Sequence, residues 1–83
     1  MQLAWYNNDM KSQTYTVLYE ADPDGGFVAS VPALPGCFSQ GDTLEEAEKN
    51  ITEALGLYLE TLMDDNIEPP VEHLWQGKVE VAI

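Results

Sequence analysis

A thiolate nucleophile needs a neighbouring cation or imidazole that lowers the thiol pKa. The single cysteine, Cys37, sits between Gly36 and Phe38, and the single histidine, His73, lies far along the chain between Glu72 and Leu74. This pattern predicts a small buried Cys37 rather than a catalytic one, and a solvated or capping His73 rather than a metal ligand. Carboxylates are the other candidates. Metal-assisted hydrolysis requires acids that converge on an ion, whatever their number. Glu20 closes an apolar strand-like run, while Glu45, Glu46, Glu48, Glu53 and Glu60 alternate with the apolar stripe of a helix, which turns them toward solvent. A metal-dependent nuclease built around Glu20 is therefore the remote reading. Asp22-Pro23-Asp24-Gly25 has the composition of a calcium-loop opening, but no ligand stands at the fifth position and no Glu at the twelfth. A tight turn explains it. No catalytic, cofactor or metal residue is expected.

Charge points elsewhere. The 83 residues carry 3 Lys+Arg against 15 Asp+Glu, a net charge of −12, and all three basic residues are lysines. Residues 1–41 hold one lysine and four acids (net −3), whereas 42–83 hold two lysines and eleven acids (net −9). Neutralising phosphates takes clustered Lys and Arg, so direct binding to nucleic acid or to an anionic membrane is excluded as the main role. Such a surface steers basic partners toward itself. Among the acids, Glu20, Asp22, Asp24, Glu45, Glu48, Glu53 and Glu60 are the candidate partner-binding residues.

The length allows a single domain. No apolar run approaches the ~20 residues of a membrane span, and no signal segment opens the chain. A soluble cytoplasmic protein is expected, and one cysteine fits a reducing compartment. Residues 1–13 read as an N-terminal extension and 14–83 as the domain. Thr14–Glu20 (TYTVLYE) is a strand by its β-branched and aromatic content, and Phe27–Val31 (FVASV) a second, joined through Asp22–Gly26 as an antiparallel hairpin. Pro32 and Pro35 break the ladder before a short third strand, Cys37–Gln40. Thr43 and Glu46 form a capping box for a helix ending near Met63. Its stripe runs Leu44, Ala47, Ile51, Ala54/Leu55, Tyr58/Leu59 and Leu62. Lys78–Ile83 (KVEVAI) alternates as a fourth strand. The expected fold is α+β, a two-layer β-β-β-α-β unit of sheet order 3-2-1-4.

Three motifs stand in order along this frame: Asp24-Gly25-Gly26-Phe27, Val31-Pro32-Ala33-Leu34-Pro35-Gly36-Cys37, and Gly41-Asp42-Thr43-Leu44-Glu45-Glu46-Ala47. With them, the segment Tyr15–Pro70 resembles HicB-type antitoxins, including the short HicB-like proteins. The resemblance implies a partial ribonuclease-H-like fold without catalytic acids. It also implies a partner, a small basic HicA-type toxin that cleaves RNA, and a type II toxin–antitoxin role without enzymatic activity. The C-terminal DNA-binding segment of many family members has no counterpart before Ile83. A solitary regulatory or ligand-binding module is the alternative. The motif residues Gly25, Gly26, Gly36 and Gly41 answer to backbone φ. Pro32, Pro35, Cys37, Asp42 and Thr43 complete the scaffold.

One helix covers one face of a sheet. An uncovered apolar face marks an interface, so a homodimer or dimer of dimers is expected, with Tyr15, Val17 and Tyr19, or their alternates Thr16 and Leu18, at the contact.

Overall fold

The structure, a computed structural model, describes residues 12–83. The expected N-terminal extension therefore lies almost wholly outside the described residues. Three strands, β1 (Leu18–Ala21), β2 (Phe27–Ser30) and β3 (Phe38–Gly41), precede one helix, α1 (Leu44–Asp64). The strands form an antiparallel sheet in the order β1-β2-β3. Both hairpins are in register, with Tyr19 opposite Ala29 and Ala29 opposite Ser39. Residues opposite one another share a face. Ala29 and Val31 are buried in the core, and Tyr15, Val17 and Phe27 pack against it on the helix side. The helix lies on β3 and β2 and hardly touches β1.

The hairpin turn has its chemistry in the backbone. Asp22 Oδ1 accepts the Asp24 N–H at 2.9 Å, and the Gly25 N–H donates to the Asp22 carbonyl at 2.9 Å. Asp22 is thus a turn residue first and a half-buried charge second. At the helix start Thr43 Oγ1 accepts the Glu46 N–H at 3.1 Å, as the capping box requires. The return bond shifts by one residue, because Glu46 Oε1 accepts from the Asp42 N–H at 2.9 Å. The other end needs no basic residue. Asn66 adopts φ 57, its N–H donates to the Met63 carbonyl, and the Ile67 N–H donates to that of Leu62, closing a Schellman motif.

Four expectations change. The first strand is shorter than Thr14–Glu20 because its partner runs out: β2 stops at Ser30, and the Val31 N–H turns to the Cys37 carbonyl at 3.0 Å. Leu44 is 52% exposed and is no part of the stripe, while Leu34, from the proline-rich connection, is 1% exposed and fills the core instead. Its loop is pinned to the helix by the Tyr58 hydroxyl, which donates to the Pro35 carbonyl at 2.9 Å. Gly41 answers to crowding rather than to positive φ, since a Cβ there would lie 2.7 Å from the Glu46 carbonyl carbon and 2.9 Å from the Ala47 Cα. Lys78–Ile83 forms no strand, and Val79 and Val81 are 87% and 69% exposed. A strand exists only through a neighbour's hydrogen bonds, and this segment pairs with no strand among the described residues.

The Gly41 contact yields a direct prediction. Gly41→Ala will push the first helical turn off β3 and destabilise the fold by about 1–3 kcal/mol, the usual cost of overpacking. A lowered urea midpoint with unchanged slope is the expected reading.

Candidate functional site

Because α1 leans toward β3, an open groove of about 630 Å³ lies between the helix and the β1 side of the sheet. Val17, just before β1, and Tyr19 on it line one side, and Ile51 and Leu55 line the helix side. Glu45, Glu48 and Glu53 border it, with Lys49 the one cation among them. The chain produces this arrangement by helical spacing: positions 45, 48 and 52 succeed one another along one flank, while 51 and 55 point inward. The groove is thus apolar within and acidic at its border. Its field reaches the strand, since burial first and the Glu48 carboxylate second push the Tyr19 hydroxyl above its ordinary pKa.

Seven acids are expected to meet a partner, and the structure sorts them. Glu45, Glu48 and Glu53 come together at the groove. Asp22 joins Asp42 and Glu46 around a second, smaller hollow of about 300 Å³ at the turn end of the sheet. Asp24 is exposed at the hairpin tip, Glu20 is exposed near the end of β1, and Glu60 lies farther along α1. Three of the seven therefore form one surface. The residues expected at a self-contact separate as well. Tyr15 and Val17 pack on the core, and Tyr19 shares the face of Ala29, whereas Thr16 and Leu18 belong to the opposite, helix-free face. Phe38, opposite Ser30 on that free face, is 66% exposed. Alternation from Leu18 to Phe38 could have identified it.

Glu72 is a site residue that sequence reasoning missed. Its carboxylate accepts from the Thr16 N–H at 2.6 Å and from the Thr16 hydroxyl at 2.7 Å. Beside it the Tyr15 hydroxyl donates to the Pro70 carbonyl at 2.6 Å. The sequence carries no periodic signal for a contact spanning 56 positions.

Among the described residues, no three His, Cys, Asp or Glu side chains converge as a metal-ligand set. No described helix is long and apolar enough to cross a membrane. Cys37 is buried, and desolvation raises its thiol pKa. A thiol-labelling reagent at pH 8 will therefore react with the native chain far more slowly than with the urea-unfolded one. Equal rates would show that Cys37 is open.

Residues 15–78 match the family model described as HicB_like antitoxin of bacterial toxin-antitoxin system. A UPF0150 protein of Synechocystis sp. is 55% identical over 60 residues, which cover 72% of this chain and 76% of that one. A UPF0150 protein of Thermoplasma acidophilum is 52% identical over 56 residues, 68% of this chain and 81% of its own. An uncharacterized 14.9 kDa protein of Haemophilus phage HP1 is 46% identical over 56 residues. Those residues are 68% of this chain and 41% of the phage protein.

Proposed function

The chain belongs to the HicB-like antitoxin family, and from that membership we propose that it neutralises a small, basic, HicA-type mRNA-cleaving toxin as the antitoxin of a type II system. The observation that carries this reading is the acidic border of Glu45, Glu48 and Glu53 on a chain of net charge −12. A protein that grips RNA must present a cationic surface, and an acidic partner competes for that surface. Association is then fast, salt-sensitive and selective for basic proteins. The chain works by binding rather than by catalysis, and does so in the cytoplasm.

Several finer features belong to this reading. Residues 14–83 act as one HicB-like domain. Three antiparallel strands followed by a helix suit a partial ribonuclease-H-like layout, in which a fourth strand beside β1 would give the order 3-2-1-4. The helix-free sheet face, with Thr16, Leu18 and Phe38, supports a homodimer or dimer of dimers. Glu20, Asp22, Asp24 and Glu60 extend the acidic surface beyond the groove.

The test is co-expression with the small basic protein encoded in an adjacent reading frame. Growth arrest by that protein alone, lifted by this chain, is the expected result. A neighbour that is harmless alone, or toxic regardless of this chain, would overturn the reading in favour of a solitary regulatory module.

A further inference from the structure

The last six described residues carry a strand-like pattern, and the β1 edge of the sheet has no strand partner among the described residues. Lys78–Ile83 alternates charged or small residues (Lys78, Glu80, Ala82) with branched apolar ones (Val79, Val81, Ile83), the period-2 pattern of a half-buried strand. All six are exposed, and none is in a helix or strand. The consequence is visible in the shape: the Cα radius of gyration is 15.5 Å and the long axis 56 Å, where a compact chain of this length has a radius of about 11–12 Å.

The sheet offers a matching edge. Among the described residues β1 pairs with β2 on one side only, and the groove beside it is lined by Val17, Tyr19 and Leu55. The far edge of the sheet is less open, because Asn50 Nδ2 reaches from the helix to donate to the Gln40 carbonyl on β3 at 2.7 Å. A strand added to β1 would extend the sheet and turn one side chain in two toward the groove.

The chain's own tail is badly placed to pair with that edge. Glu72 is fastened to Thr16 through two hydrogen bonds, so the tail starts beside the beginning of β1. Six residues separate 72 from 78, and only five separate Thr16 from Ala21 at the end of β1. An extended tail, rising about 3.3 Å per residue, carries Lys78 past the end of its own β1 before the alternating run begins. A second copy has no such restraint.

We propose that Lys78–Ile83 is an exchanged strand, which adds to the free edge of β1 in a second copy and seats Val79, Val81 and Ile83 in its groove. Two-fold symmetry makes the exchange reciprocal, and each copy completes the other's sheet. Lys78 and Glu80 remain on the helix-free face, and Glu45, Glu48 and Glu53 still border the groove. This deepens the self-association proposed above and does not depend on the toxin.

Sedimentation of the full chain at micromolar concentration is expected to give twice the 9.2 kDa chain mass. The double variant Val79→Asp/Val81→Asp is expected to run at a single chain mass with its helical circular dichroism intact, since neither side chain touches the core. A mixture of the single variants Leu18→Cys and Glu80→Cys is expected to yield, on mild oxidation, a cross-linked species containing one of each, and so is Glu20→Cys with Glu80→Cys. This trap keeps both valines and decides the matter even if the aspartate variant fails to fold. A wild-type monomer would overturn both exchange and self-association. A dimer that survives Val79→Asp/Val81→Asp, or no mixed cross-link in either pairing, would overturn exchange alone.

Discussion

Replacing Glu45, Glu48 and Glu53 together with lysine will leave the chain folded and weaken its hold on a basic partner by at least about 100-fold. The magnitude follows from two contributions. Electrostatic complementarity alone raises association rates by roughly 10–10³, and reversal turns attraction into like-charge repulsion costing several kcal/mol. The helix survives because all three side chains are exposed and outside the buried core. The charge-matched control reverses Glu60, Asp64 and Asp65 together, which are exposed and stand outside the groove at the far part of the same helix and its cap. Titration calorimetry at two salt concentrations separates the outcomes. A large loss in the groove variant, with only a small one in the control of equal charge change, places the interface at the groove. Equal losses would instead mean that net charge, not this surface, governs binding.

The second large effect concerns the core. Leu34→Ala will cost about 2–5 kcal/mol, the range for a fully buried leucine. Stabilities of folded domains lie near 5–15 kcal/mol, and a chain this small stands at the low end. Much of the population is therefore expected to unfold near 37 °C. The buried set is small: Ala29, Val31, Leu34, Cys37, Ala47 and Ile51, so few neighbours can collapse into the space. Leu44→Ala is the counterpart, since Leu44 is 52% exposed despite its place in the helical period, and its loss should be within about 1 kcal/mol. Thermal unfolding of both variants checks the contrast. Comparable melting temperatures would contradict the packing described.

These two leucines show where sequence reading succeeds and where it stops. Local chemistry was legible: the Thr43–Glu46 cap, the Asp22–Gly26 turn, the order of three strands and a helix, and burial of Ala47 and Ile51 all follow from near neighbours. Leu34 was hidden because it belongs to no periodic element; a proline-rich connection places it in the core through the turn that joins Val31 to Cys37. Leu44 misled because the helical period groups it with Ala47 and Ile51, yet those two are buried and Leu44 is 52% exposed. The acids looked alike in sequence. Only the lean of the helix gathers Glu45, Glu48 and Glu53 at one groove and leaves Glu60 outside it. Glu72 was invisible for a further reason, since its partner Thr16 is fixed by the chain's return path and by no local pattern. The alternation of Lys78–Ile83 suggested a strand that the structure does not form, because alternation names no partner and the segment pairs with none among the described residues.

The central claim is that this chain silences a basic RNA-cleaving protein by occupying its RNA-binding surface. The most direct measurement titrates the purified chain into the adjacent-frame protein as it cleaves a labelled RNA, and follows cleavage and complex formation together. Cleavage is expected to stop once the two proteins reach a fixed stoichiometric ratio, with RNA displaced from the complex and with inhibition weakening as salt rises. Undiminished cleavage at excess chain, or inhibition without any complex, would contradict it.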